Sequence, residues 1–147
     1  MPNSKNSKLI IEWPDLYTRV TADFLDDLNL ELCEVVRQNL PVETIQSHGV
    51  IAGGLLMAPT RIVCALVPRT FENLGEQPVG RINFSLFYLA ISMKYGPIAE
   101  PLDISPVAQV CAEDIDALAQ VGKRVWQHTC NLKSDKGYIK CRYQILQ

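Results

Sequence analysis

One stretch constrains this chain more than any other. From Leu86 to Met93 it reads LFYLAISM, an apolar strand-like run. Lys94-Tyr95-Gly96-Pro97 then makes a corner, a proline-containing loop continues to Pro106, and Val107–Cys111 reads as another strand. An acidic helix start, Glu113–Asp116, follows directly. Strand, corner, strand and helix in that order predict a small closed β-barrel with a covering helix, since closure leaves no exposed edge on so apolar a chain.

The flanking segments supply the remaining strands. Lys8–Trp13 is β-rich and stopped by Pro14, and Leu16–Phe24 alternates, with Leu16, Thr18, Val20, Ala22 and Phe24 on one face. Together they predict a hairpin with one buried face. Asp26-Asp27-Leu28-Asn29 changes the period: Asp and Asn are good helix caps, and Leu32, Val35, Val36 and Leu40 recur at helical spacing up to Pro41. Val42–Val50 is β-branched and alternating, Gly49 and Gly53-Gly54 predict a tight turn or bulge, and Leu55–Ala58 is a strand ended by Pro59. Arg61–Val67 is apolar enough for a buried strand or a short helical insert, and Pro68–Pro78 reads as a long loop over one mouth of the barrel. Gly80–Met93 reads as nearly continuous strand. Ala112–Gln127 predicts a second helix, acidic at its start and basic at Lys123-Arg124 as the macrodipole favours, with Ile115, Leu118, Ala119, Val125 and Trp126 as its apolar stripe. Gly137–Leu146 is a last alternating strand. The fold class is therefore mainly β: one barrel domain over 8–147 with two helices, behind a disordered tail at 1–7.

With 147 residues, 48% of them apolar and 20% charged, the chain can bury a sizeable single core. A net charge of −2 argues against a nucleic-acid partner, because phosphate binding needs a basic face. No run approaches the ~20 apolar residues of a membrane span, and the polar Met1–Lys8 is not a signal peptide, so a cytoplasmic location is expected. The five cysteines form no CxxC pair. Cys33, Cys64, Cys111 and Cys141 lie in apolar or amphipathic runs, as reduced structural thiols do. Two distant histidines without carboxylate–histidine spacing predict no metal site, and the glycines never take the GxGxxG spacing of a dinucleotide site. No cofactor is expected.

The helix ending Asn39-Leu40-Pro41, the strand Glu43–His48, Pro59 beyond that histidine, Tyr95-Gly96 and the helix after Val107–Cys111 resemble, in order and spacing, the cyclophilin-like fold. More specifically, residues 8–146 are similar to a family of small bacterial proteins that share this closed or split barrel without a settled common function. The chain departs from the family in Ile51-Ala52-Gly53-Gly54, where Gly54 takes a position that relatives often fill with an acidic residue. The Phe-His-Arg and Gln-Gly-Gly motifs of the prolyl isomerases of this fold are absent, so prolyl isomerase activity is not implied. Some family members are similar to cucumopine synthases, cofactor-free enzymes that condense histidine with 2-oxoglutarate. The resemblance thus implies an opine-forming condensation of an amino acid with a 2-oxo acid. Its alternatives are a non-catalytic metabolite-binding module or a structural oligomer, and a homodimer or homotetramer is expected because Val50–Ala58 and Arg61–Val67 are apolar runs that subunits could cover.

Such chemistry needs an acid/base pair and cations for carboxylates. His48, at a strand end beside a glycine turn and in the family's matching position, can move a proton near neutral pH; its blander role is a hydrogen-bonded structural histidine. Tyr95 reads as a rim phenol able to donate to a developing oxyanion, or as an aromatic plug. Arg61, Arg81 and Lys94 are candidate carboxylate ligands, with exposed strand charges as the alternative. Asn83 and Ser85 alternate on one strand face and could line a cavity, as could Met57. Trp126 reads as apolar fill, and His128 as a structural or solvated residue following the second helix.

Overall fold

Alternation builds the first hairpin. In the computed structural model, which describes residues 7–50, 52–131 and 137–146, β1 (Lys8–Trp13) and β2 (Thr18–Phe24) pair antiparallel from Lys8↔Asp23 to Trp13↔Thr18. The tail expected over 1–7 lies, apart from Ser7, outside the described residues. Between the strands Pro14–Leu16 forms a 3-10 turn that ends on Tyr17 at φ 50. Then come α1 (Asp26–Gln38), β3 (Val42–Ile45), β4 (Ser47–His48), β5 (Gly53–Pro59), β6 (Glu72–Asn73), β7 (Arg81–Ser85), β8 (Ala90–Ile98), β9 (Asp103–Ile104), β10 (Pro106–Val110), α2 (Ile115–Cys130) and β11 (Lys140–Leu146).

Nine strands form one sheet in the order β3-β11-β1-β2-β10-β7-β8-β5-β4, each neighbouring pair antiparallel. Its two edges, β3 and β4, are consecutive in the chain with only Gln46 between them. One strand therefore pairs with β11 through its first half and with β5 through its second, which closes the sheet into a barrel. Gln46, 4% exposed, is the fastening. Its backbone N–H donates to the Ile139 carbonyl at 2.7 Å, its Oε1 accepts from the Trp13 indole at 2.8 Å, and its Nε2 donates to the Met57 carbonyl at 3.0 Å. Thr44 and Ser47 hydroxyls add bonds across the same seam, to the carbonyls of Pro59 and Met57.

Inside, Leu9, Ile11, Val20, Leu56, Ile82, Phe84 and Met93 share one core with Leu32, Cys33 and Val36 of α1 and with Leu118, Val121 and Val125 of α2. Helix α2 packs against β2, β4, β5 and β8, strands from opposite flanks of the sheet, so it lies across a barrel end. A satellite cluster of Ala52, Leu55, Leu74, Ile98 and Ile104 sits under the separate β6–β9 pair. No helix of the described residues is long and apolar enough to cross a membrane.

Several local expectations need correction. LFYLAISM is not one strand: Leu86–Leu89 is the turn of the β7–β8 hairpin, because the register Ser85↔Ala90 leaves those residues outside the ladder. Arg61–Val67 is neither strand nor helix; it finds no sheet partner, and buries Ile62 while exposing Val63 and Val67. Val42–Val50 breaks at Gln46 into strands with different partners. Tyr95 lies inside β8 rather than at its end. The helix start at Asp26 has no side-chain cap; Asp26 instead pairs with Arg37 at 2.7 Å. Asn29, non-helical at φ −145, is buried and ties α1 to Thr70 and Pro106.

Closure through one side chain is testable. Replacing Gln46 with Leu keeps the bulk but leaves the buried Trp13 indole N–H without its acceptor, an expected loss of about 2 kcal/mol in urea unfolding. A loss within error of zero would show that the seam does not rest on this residue.

Candidate functional site

The closing strand delivers His48 to the site: β4 is only two residues long, and His48 is its second. Opposite, β5 and β8 pair Gly53↔Ile98 and Leu55↔Lys94, so Tyr95, Gly96 and Pro97 stand against Gly54 alone. This is the bulge that the glycines implied. The two backbones touch there, and a Cβ on Gly54 would lie 2.6 Å from the Gly96 Cα. No acidic side chain fits at 54, which accounts for the glycine in that place. The bulge turns Tyr95 toward α2, where its ring rests on Gly122; a Cβ on Gly122 would sit 2.4 Å from the ring.

These constraints bring the two proposed proton-transfer residues, 47 positions apart in sequence, into contact. His48 Nδ1 lies 2.9 Å from the Gly49 carbonyl, which can only accept, so the proton is assigned to Nδ1. Nε2 is then an acceptor, and the Tyr95 hydroxyl donates to it at 2.5 Å. The rings meet edge-on at 71°, and Trp126 covers the imidazole with its ring centroid 4.7 Å away. Burial pushes the His48 pKa below its ordinary value, with the Gly49 carbonyl offsetting part of the effect, and burial raises that of Tyr95. The pair is thus a neutral base with a phenol already hydrogen-bonded to it. The tyrosine oxygen can take a proton from a bound molecule while its own passes to Nε2.

The other sequence candidates do not gather around this pair. Arg81 lies in the cleft of Glu72, with Nε and Nη2 each 2.8 Å from a carboxylate oxygen, which holds the Glu72 pKa down. Asn83 is fully buried in a reciprocal amide pair with Gln77, at 2.8 and 3.0 Å. Lys94 is buried beneath the 72–78 loop, donating to the carbonyls of Leu74 and Gly75, and burial lowers its pKa. Ser85 accepts the Tyr88 N–H within the hairpin turn. Met57 packs on the satellite cluster. Arg61 alone of these cations is exposed and lines a cavity, of 570 Å3, beside the β3–β5 seam.

Sequence reasoning missed Trp126 and Gly122 as parts of the site. Its stripe included Trp126 as fill, yet the ring projects past the core onto His48, and only Gly122, one turn earlier, hints that a bulky partner must approach there. Two of the free thiols are poor nucleophiles by environment, since burial pushes Cys33 and Cys141 up to about 12. Among the described residues no cluster of three His, Cys, Asp or Glu could hold a metal. A further cavity, of 690 Å3, opens between Asp15–Tyr17, α2 and Gly137–Ile139.

No protein-family model and no curated protein matches this chain. Among solved structures it is similar to McbB, determined in complex with tryptophan, at 30% identity and a TM-score of 0.84 over 92% of this chain. The match spans 44% of McbB, so this chain corresponds to less than half of that protein. It is also similar to the hypothetical protein AF2241 from Archaeoglobus fulgidus, with a TM-score of 0.61 over 97% of both chains at 9% identity, a likeness of fold. The mainly β barrel with two helices is thereby shown.

The histidine's suppressed basicity predicts a pH effect. The unfolded chain takes up a proton on His48 as pH falls through its ordinary value of 6.5, while the folded chain resists it. This group therefore leaves stability unaffected well above 6.5 and lowers it as pH falls below. Comparing urea unfolding at pH 7.5 and 5.5, wild type should lose more stability than His48→Gln. An equal loss in both proteins would contradict the assignment.

Proposed function

We propose that this chain is a cofactor-independent enzyme that acts on an α-amino acid, with His48 and Tyr95 as the proton relay of its condensation with a 2-oxo acid. The observation that carries the reading is the Tyr95–His48 hydrogen bond, shielded by Trp126, in a chain similar to part of McbB, a protein determined in complex with tryptophan. Tryptophan and the histidine of the opine-forming reading share one chemical feature. Each has a nucleophilic ring carbon placed to reach an imine formed at its own α-amino group.

The steps balance without a redox cofactor. The amine adds to the ketone of the oxo acid and water leaves, giving an imine. Protonation of its nitrogen makes it electrophilic, the ring carbon attacks, and a C–C bond forms. The ring then loses the proton at that carbon and regains aromaticity. Tyr95 oxygen accepts this proton as the phenol's own moves to His48 Nε2, and the resulting imidazolium keeps its Nδ1–H on the Gly49 carbonyl. Arg81 and Lys94 are not assigned to a substrate carboxylate, because the protein already engages their donors, and Arg61 lines a cavity that neither His48 nor Tyr95 lines.

A second reading, a non-catalytic amino-acid-binding module, is favoured by a specific observation: the cavities described above are lined by neither His48 nor Tyr95. One experiment separates the two. The protein is incubated with 2-oxoglutarate and either tryptophan or histidine, without nicotinamide, and the mixture is examined by mass spectrometry for the summed mass less one water. Product should form, and Tyr95→Phe should slow it by about a hundredfold, the scale of a lost general acid–base group. A raised melting temperature with amino acid but no product supports the binding module. Product formed at full rate by Tyr95→Phe and His48→Ala removes the relay.

A further inference from the structure

Helix α2 presents a second functional wall on the side turned away from Trp126. At 100° per residue, Arg124 and His128 lie nearly opposite Trp126 and one turn apart from each other. They face the 690 Å3 cleft, a size within the range of about 300–1,000 Å3 common for small-molecule sites. Leu16 and Ile139, both buried, give the cleft apolar lining. Two phenols stand among its lining residues: Tyr17, 97% exposed, and Tyr138, 76% exposed.

Neither tyrosine contributes to the core. Tyr17 is held in the left-handed region at φ 50 by the 3-10 turn, with its N–H on the Pro14 carbonyl, a backbone state that a non-glycine residue adopts only when its surroundings impose it. The polar groups of this wall are also uncommitted. Among the described residues the Arg124 guanidinium has one bond, a long 3.4 Å contact to the Leu16 carbonyl, and the His128 ring has none. Asp15, the acidic lining residue, already accepts the Lys140 N–H at 2.9 Å. Unspent donors of an arginine, beside apolar and aromatic surface, match a planar molecule that ends in a carboxylate.

We propose that this cleft binds an aromatic carboxylate, its charge on Arg124 and His128 and its ring against Tyr17 and Tyr138. The site is separate from the His48–Tyr95 pair and stands whether or not that pair is catalytic. The ligand is defined by its carboxylate and its ring; an amine is not required of it, although the Asp15 carboxylate also lines the cleft.

Indole-3-acetate, an aryl acid without an amine, is the probe. Titrated into the 15N-labelled protein, it should produce saturable amide shifts at Tyr17, Arg124, His128 and Tyr138 and leave those of His48 and Tyr95 in place. Arg124→Gln should weaken binding by about tenfold or more, and indole without its carboxylate should bind correspondingly weaker. Tyr138→Ser, a change at an exposed side chain, should weaken it several-fold, while His48→Gln should bind as wild type does. The amide spectrum of each variant reports that the fold is kept. Shifts centred on His48 and Trp126, equal binding of indole, an Arg124→Gln protein with unchanged affinity, or no saturation by about 10 mM would each overturn the proposal.

Discussion

Closure of the sheet at Gln46 is the constraint on which the remaining architecture depends. A nine-strand sheet of this apolarity would otherwise end in two bare edges. The protein joins them with one strand that changes partner midway, and a single buried amide satisfies the backbone and indole groups freed by the change. The location of His48 follows from this. It stands two residues after the switch, in the short segment that pairs with β5, so its ring is placed by the ladder Ser47↔Met57 and His48↔Leu56. A site residue on a two-residue strand is precise only because the barrel it completes is rigid.

The second constraint is the glycine contact between β5 and β8. Three residues of β8 oppose one of β5, and that excess aims Tyr95 at both the imidazole and the helix. Gly122 lets α2 come down onto the phenol ring, which brings Trp126 over His48. The hydrogen bond between the two side chains is therefore set by three backbone features: a strand switch, a bulge and a close helix approach. Burial by the same elements keeps the imidazole neutral and the phenol protonated at neutral pH, the states in which Tyr95 donates to Nε2.

What was legible in the sequence is what short-range pattern encodes. The alternation of Leu16–Phe24 gave the correct buried face, the helical spacing after Asp27 and after Asp114 gave both helices, and the paired glycines at 53–54 marked the bulge. The histidine and the tyrosine were legible as chemistry, and their contact was not, since it depends on which strands become neighbours. The same long-range dependence hid the fate of the polar candidates. Arg81 finds Glu72 across a loop, Asn83 finds Gln77, and the alternation of β8 turns Lys94 inward beneath Leu74. Nothing local distinguishes an arginine awaiting a ligand from one paired with a carboxylate nine residues away. Arg61–Val67 shows the converse: its composition suits a strand, but the ladder on β5 and β8 is already complete, so it lies over the barrel without a partner.

This distribution of charge bears on how any chemistry here must work. Arg37 is paired with Asp26 and Glu34 with only its Nε left without a partner, Arg81 is matched by Glu72, and Lys94 donates to two carbonyls, so the protein itself engages its buried and half-buried cations. A buried cation left open for a ligand would carry a large desolvation penalty until the ligand arrived. The chain avoids that state and leaves other guanidinium groups at the surface, those of Arg61 and Arg124 among them. The pair at the barrel end is neutral throughout, with a phenol and an imidazole sharing one proton. Moving that proton creates charge only during the transfer itself, and creates it where the Gly49 carbonyl already points at the imidazole. A relay of the kind proposed would handle a proton without a standing buried charge, the form of acid–base chemistry that a tightly closed barrel accommodates at least cost.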